Sequence, residues 1–118
     1  MSTRAISIWP VLGRREVQEK SEQAFTVRFL DNRALSAPTT ARYKLRSLVT
    51  GETVKDWTSI ATPGSEETVV ITADLNTIRA GCDRERYELV VQSDHDDTSN
   101  RQTQAHRYVV VNICAVED

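Results

Sequence analysis

The chain reads as an all-β domain, an immunoglobulin-like β-sandwich of about seven antiparallel strands. Three observations predict this. Residues 25–29 and 41–46 alternate between apolar and polar side chains, the period-two mark of a half-buried strand. Turn signals built on Gly, Pro, Asn and Asp recur roughly every 8 to 15 residues. Only residues 74–83 carry even a short helical pattern.

The sequence has 118 residues, 39% hydrophobic and 27% charged, which describes one globular domain. A chain of this length buries roughly two-thirds of its unfolded surface and needs no staple. Residues 1–22 read as an N-terminal strand or arm with a charged connection, and residues 23–118 as the core sandwich. The formal charge of −2 gives no general attraction to nucleic acid or to an acidic membrane. No apolar run approaches the roughly 20 residues that span a bilayer, and the first ten residues lack a signal-peptide pattern. The expectation is therefore synthesis in a cytoplasm. Cys82 and Cys114 then read as two thiols, since disulfides are rare in reducing compartments.

Taken in order, residues 5–12 alternate through Ile6 and Ile8. Pro10 removes a ladder donor, so this is an edge or first strand. Residues 14–22 are a charged connection whose single apolar residue, Val17, offers no buried stripe. Residues 23–31 form the second strand, with Phe25, Val27 and Phe29 on one face, and Asp31-Asn32 is a turn pair. Residues 40–60 form a hairpin that organises the chain. Ala41, Tyr43 and Leu45 face one way and Arg42, Lys44 and Arg46 the other; Gly51 supplies the turn. Tyr43, Leu45 and Trp57 are its candidate core anchors.

Thr62-Pro63-Gly64-Ser65 is a turn, and residues 67–73 are a β-branched strand. In residues 74–83, Asp74 is placed to cap a helical turn and Gly81 to end it. Residues 84–93 return to strand, with Tyr87, Leu89 and Val91 on one face. Leu75, Ile78 and Tyr87 form the pattern of the corner where a tyrosine tethers immunoglobulin-like sandwiches. The usual disulfide is absent; Phe25, Val27 and Leu89 stand where its cysteines would be sought. Residues 94–102 read as a polar loop. Residues 103–116 read as a last strand, nearly continuously apolar from Tyr108 to Ile113, as expected of a strand covered on both faces or at a subunit contact.

The sequence offers little chemistry. The loop Asp94-His95-Asp96-Asp97-Thr98-Ser99-Asn100 is rich in oxygen ligands, but lacks the glycine and terminal glutamate of a calcium loop. It reads more simply as a solvated tip. His95 and His106 belong to no nucleophile motif, and no glycine-rich phosphate cradle exists. Glu66-Glu67 and Asp96-Asp97 are adjacent, which on a strand sends the two carboxylates to opposite faces. No metal, cofactor or catalytic residue is expected.

Two features point instead to partners. Arg42, Lys44 and Arg46 form the most ordered charge stripe, suited to an acidic surface or to phosphate, or simply to a solvated sheet face. Trp9 lies among Ile6, Ile8 and Pro10, and suits either a core or an interface. Its segment is a candidate arm for strand exchange with a neighbour.

Several stretches carry a family resemblance: Ala41-Arg42-Tyr43-Lys44-Leu45, Thr50-Gly51, Val54-Lys55-Asp56-Trp57-Thr58, Asn76-Thr77-Ile78, Arg84-Glu85-Arg86-Tyr87 and Tyr108-Val109-Val110-Val111-Asn112. Over residues 23–114 the chain resembles small virion-associated proteins of tailed bacteriophages. The resemblance implies an immunoglobulin-like domain without enzymatic activity. It implies a virion location and other virion proteins as partners, in the capsid shell or the head–tail region. A capsid decoration or head-stabilising subunit is the first expectation, with homo-oligomers admissible and neither nucleic acid nor membrane as partner. A head–tail joining or tail component is the second. A host-surface or carbohydrate-binding module is an alternative of another class.

Overall fold

The computed structural model describes residues 4–11, 16–78, 84–95 and 97–111, with the side chains of 95 and 97–100 excepted. Among these residues the structure is nearly all β. Nine strands run in chain order: β1 (Arg4–Pro10), β2 (Glu16–Gln18), β3 (Gln23–Asp31), β4 (Ala34–Leu35), β5 (Thr40–Ser47), β6 (Thr53–Ile60), β7 (Glu66–Ile71), β8 (Arg84–His95) and β9 (Asp97–Val111). One turn of 3-10 helix, Ala73–Leu75, follows β7.

The strands form two sheets. In the four-stranded sheet, β3 pairs antiparallel with β1 along one edge, and with β7 and β4 along the other. The five-stranded sheet runs β2-β9-β8-β5-β6. Its pairs are antiparallel except β2 with β9, which is parallel. The sheets share one core, so the architecture is β-sandwich-like. Phe25, Val27 and Phe29 from β3 and Ile71 from β7 meet Leu45, Leu89, Val91, Tyr108 and Val110 from the other sheet. Phe25 lies 5.4 Å from the Tyr108 ring, which in turn stacks on Tyr87 at 5.8 Å. Each such side chain, fully buried, contributes roughly 1.5–3 kcal/mol of transfer free energy.

Strand β1 tolerates Pro10 for a geometric reason. The Val11 N–H donates to the Ala24 carbonyl. Backbone groups alternate in direction along an antiparallel strand, so position 10 faces away from β3 and no ladder bond is lost there. Strand β1 is not a loose arm: it pairs with β3 over its whole length and buries Ile6 and Ile8.

Four sequence expectations need correction. Residues 14–22 contain a short strand, β2, because Val17 is buried against the core even though its neighbours are polar. Residues 94–102 are no loop: β8 and β9 continue to pair through Ser93↔Gln102 and His95↔Asp97. Asp74 lies inside the 3-10 turn and accepts from Thr72 Oγ1 at 2.5 Å, while Thr72 occupies the cap position. Trp57 is not a core anchor. Tyr43 pairs with Thr58, which places Trp57 on the face of Lys44, pointing outward. Leu45 is fully buried as expected; Tyr43 is half-buried against the core.

The turns follow local chemistry. Gly51 adopts φ of +77°, the left-handed region that favours glycine. The preceding Ser47 Oγ accepts from the N–H groups of Val49 and Thr50. At the β3–β4 turn, Asn32 and Arg33 both take positive φ, so the turn centres one position later than Asp31-Asn32.

One end of the sandwich is closed by a polar plug. Asn76 is fully buried. It accepts from the Tyr108 hydroxyl at 2.8 Å and donates from Nδ2 to the Ser21 carbonyl at 2.7 Å. Its own carbonyl accepts from the Lys20 N–H at 2.7 Å. A buried amide with all these groups paired ties the β2–β3 link to β9 and to the 3-10 turn.

Candidate functional site

Trp9 and the stripe Arg42, Lys44, Arg46 lie on different sheets, so they do not form one site. They mark two exposed faces of opposite character.

The first is the outer face of the four-stranded sheet. Trp9 on β1 is opposite Thr26 on β3, which is opposite Thr68 on β7. In the next row Val11 bonds to Ala24, and Ala24 is opposite Val70. Trp9 is 60% exposed, Val11 54% and Val70 38%. The apolar patch is bounded on one side by an exposed ion pair, Arg28 Nε to Glu66 Oε2 at 2.7 Å. Beyond that pair Ala5, Leu30 and Leu35 form a further apolar row. A contiguous exposed apolar patch on a sheet face, rimmed by charge, is the signature of a contact surface. Of these residues the sequence singled out Trp9 alone. Val11 and Val70 are 59 positions apart, and only the strand register makes them neighbours.

The second is the outer face of the five-stranded sheet. Arg42 donates from Nε and Nη2 to Gln92 Oε1 at 2.9 and 2.7 Å, and its guanidinium carbon sits 4.2 Å from the Trp57 ring centre. Lys44 Nζ lies 4.8 Å from the same ring. One indole therefore carries two cations. Arg46 and Arg107 share Glu88, at 2.7 and 3.2 Å, and the Glu88 side chain is only 6% exposed. At the far end Arg101 holds Asp94 with two bonds, 2.9 and 3.2 Å. That hydrogen-bonded guanidinium lowers the Asp94 pKa below the ordinary carboxylate value, outweighing the opposing effect of burial.

This face is cationic out of proportion to the chain. The outer positions of β5, β8 and β9 from Arg101 onward hold seven cations: Arg42, Lys44, Arg46, Arg84, Arg86, Arg101 and Arg107. Only two carboxylates, Glu88 and Asp94, stand among them, giving +5. The chain as a whole is −2, so the remainder carries −7.

The structure gathers little that resembles reaction chemistry. A cleft of about 190 Å³ is lined by Thr40, Arg42, Ser59, Gln92, Asp94 and Arg101, whose charged groups are already hydrogen-bonded to one another or to Gln92. His106 packs edge-on against Phe25 at 5.4 Å, on the inner side of β9. Glu66 and Glu67 are separated in role: Glu66 pairs with Arg28, and Glu67 accepts from the Gly64 N–H at 2.6 Å. Among the described residues no group of three or more His, Cys, Asp or Glu side chains is arranged to hold a metal ion. Of the oxygen-rich stretch 94–100, Asp94 is committed to Arg101, and the other side chains lie outside the described residues, as do Cys82, Cys114 and Gly81. No described helix is long and apolar enough to cross a membrane.

No protein-family model matches the chain, and no curated protein matches it significantly.

Proposed function

We propose that the protein is an adhesive structural domain of a tailed-bacteriophage virion, a capsid decoration or head-stabilising subunit, and not an enzyme. The observation that carries this reading is the apolar patch of Trp9, Val11 and Val70, presented on a rigid sheet with the Arg28–Glu66 pair at its rim. An aromatic anchor inside an apolar patch with a polar rim is the anatomy of a protein–protein contact. A small patch gives a modest single contact. Repeated over a shell, modest contacts sum to firm attachment. The sequence resemblance supplies the virion context.

The same reading carries the finer fold class, an immunoglobulin-like sandwich. Its support is the corner tether, in which the Tyr87 hydroxyl donates to the Thr77 carbonyl across the connection into β8. The strand orders of the two sheets agree with it.

A head–tail joining or tail component is the second reading. It is favoured by the elongated body, 55 × 26 × 22 Å, and by the β8–β9 hairpin, which runs on past the last β5 pair, Thr40↔Asp94. A carbohydrate-binding module wants a bare aromatic platform. Trp57 is instead occupied by Arg42 and Lys44, which leaves Trp9 as a single exposed aromatic rather than a platform of several.

Quantitative mass spectrometry of purified particles tests the reading. Copies on the order of hundreds support decoration by repeated weak contacts. The few copies of one closed ring support a joint. Absence of the chain from particles defeats both.

A further inference from the structure

The cationic face of the five-stranded sheet is a second surface, separate from the apolar patch. We infer that it docks an acidic protein surface, with Arg42 and Lys44, held over Trp57, as its ordered centre. This deepens the adhesive reading above and rests on it.

Charge complementarity selects the partner class. The outer positions of β5, β8 and β9 stand at +5 while the rest of the chain, with Glu16 on the neighbouring edge strand β2 included, stands at −7, so the attraction is local to these three strands. At physiological salt the screening length is about 8 Å, so a partner feels the face it touches rather than the net charge. Among the described residues, Lys44, Arg84 and Arg86 have no carboxylate partner, and Arg42 hydrogen-bonds to the neutral Gln92 amide, with Asp94 close enough only to feel its charge. Arg46 and Arg107 divide a single carboxylate between them.

Order at the centre adds to charge. Long cationic side chains normally lose rotamer freedom when they bind. Arg42 is already fixed by two bonds to Gln92 and by the indole beneath it, and Lys44 by the same indole. Positions 42, 44 and 46 repeat along one face of a strand at about 6.7 Å, the repeat of carboxylates on an opposing extended segment.

The same details weigh against nucleic acid. Single strands bind through aromatic platforms on which bases stack, together with a groove that tracks the phosphates. Here the aromatic at the centre of the face is covered by cations, so no base can stack on it.

The test uses the full chain and two probes, poly-L-glutamate and an oligothymidylate of equal charge, titrated calorimetrically at low salt. Poly-L-glutamate is expected to bind more tightly than the oligothymidylate. The double substitution Arg42→Gln/Lys44→Gln is expected to weaken glutamate binding about tenfold or more. Trp57→Leu, which keeps both charges, is expected to cost about threefold, the loss of ordering by an exposed cation–π contact. Arg33→Gln, at the β3–β4 turn on the other sheet, is expected to change binding little. Tighter binding of the oligothymidylate, no binding of either probe, or an Arg33→Gln loss equal to that of the double variant would each overturn the inference. Absence of the chain from purified particles would remove the virion reading without touching these titrations.

Discussion

The Tyr87 hydroxyl donates a 2.7 Å hydrogen bond to the backbone carbonyl of Thr77, ten residues earlier. The bond joins the first turns of β8 to the segment that follows the 3-10 helix. It fixes where the chain re-enters the five-stranded sheet, while the Tyr87 ring stacks on Tyr108 inside. Tyr87→Phe keeps the ring and removes the tether. A loss of about 1 kcal/mol is expected, since Thr77 is exposed and water can replace the donor at its carbonyl. Urea unfolding followed by circular dichroism measures it.

Asn76 behaves differently because it is fully buried. Asn76→Ala leaves the Tyr108 hydroxyl and the Ser21 carbonyl without their partner. The expected cost is about 2–3 kcal/mol, mostly from the buried Tyr108 hydroxyl at roughly 1–3 kcal/mol, with less from the half-buried Ser21 carbonyl, which water can reach. Adding Tyr108→Phe to Asn76→Ala should cost less than the sum of the two single changes, because the hydroxyl is already orphaned. A double-mutant cycle in urea checks this.

Stability should respond to pH at both extremes. Burial raises the Tyr108 phenol well above its ordinary value of 10.0. The folded state therefore disfavours the phenolate. Its contribution is fully present below pH 10 and is lost as pH rises beyond the unfolded-state value. Tyr108→Phe should flatten the alkaline limb of a midpoint-versus-pH curve. Asp94 works in the opposite sense: its pKa is lowered from 3.8 by the Arg101 bonds, so its contribution is present above that value and fades as pH falls through the folded value. Arg101→Gln should move the Asp94 titration, followed by carboxyl NMR, upward toward 3.8.

The two tryptophans should be distinguishable in solution. Trp9 is largely exposed, whereas Trp57 is half-buried beneath Arg42 and Lys44. Acrylamide should quench Trp57→Phe, which retains Trp9, more strongly than Trp9→Phe. Equal quenching of the two variants would mean that Trp9 is covered in solution.

Parts of this architecture are legible in the sequence because burial imposes a period. Strand β3 spans Gln23–Asp31, the residues predicted, since Phe25, Val27 and Phe29 admit only one face. Strand β2 is not legible: one buried residue, Val17, makes no pattern, and its pairing with β9 is a matter of backbone position. The hairpin through 94–102 is hidden for the opposite reason. Its Asp, Ser and Asn composition mimics a loop, while cross-strand pairs such as Asp94–Arg101 hold it in the sheet. The outward turn of Trp57 was within reach of the sequence. Val54 and Ile60 are six apart, and Trp57 lies three from each, so a period of two that turns both inward sends Trp57 out. Register shifts in β6 opposite Tyr43–Arg46 obscure the pattern. The apolar patch joins Trp9, Val11 and Val70 across three strands, so no local pattern announces it, whereas the Arg42–Trp57–Lys44 stack lies within one hairpin and follows once Trp57 is turned outward.

The proposed attachment through the outer face of the four-stranded sheet makes particle occupancy depend on Trp9 and Val70. Its direct measurement is occupancy on purified particles, comparing the wild-type chain with Trp9→Ser/Val70→Ser. Both positions are exposed, so stability should change by no more than about 1 kcal/mol, two surface substitutions at about 0.5 kcal/mol each. The variant is expected to stay folded while its occupancy falls at least about tenfold, the effect of losing an aromatic anchor. Equal occupancy of the wild type and a folded variant would contradict this mode of attachment.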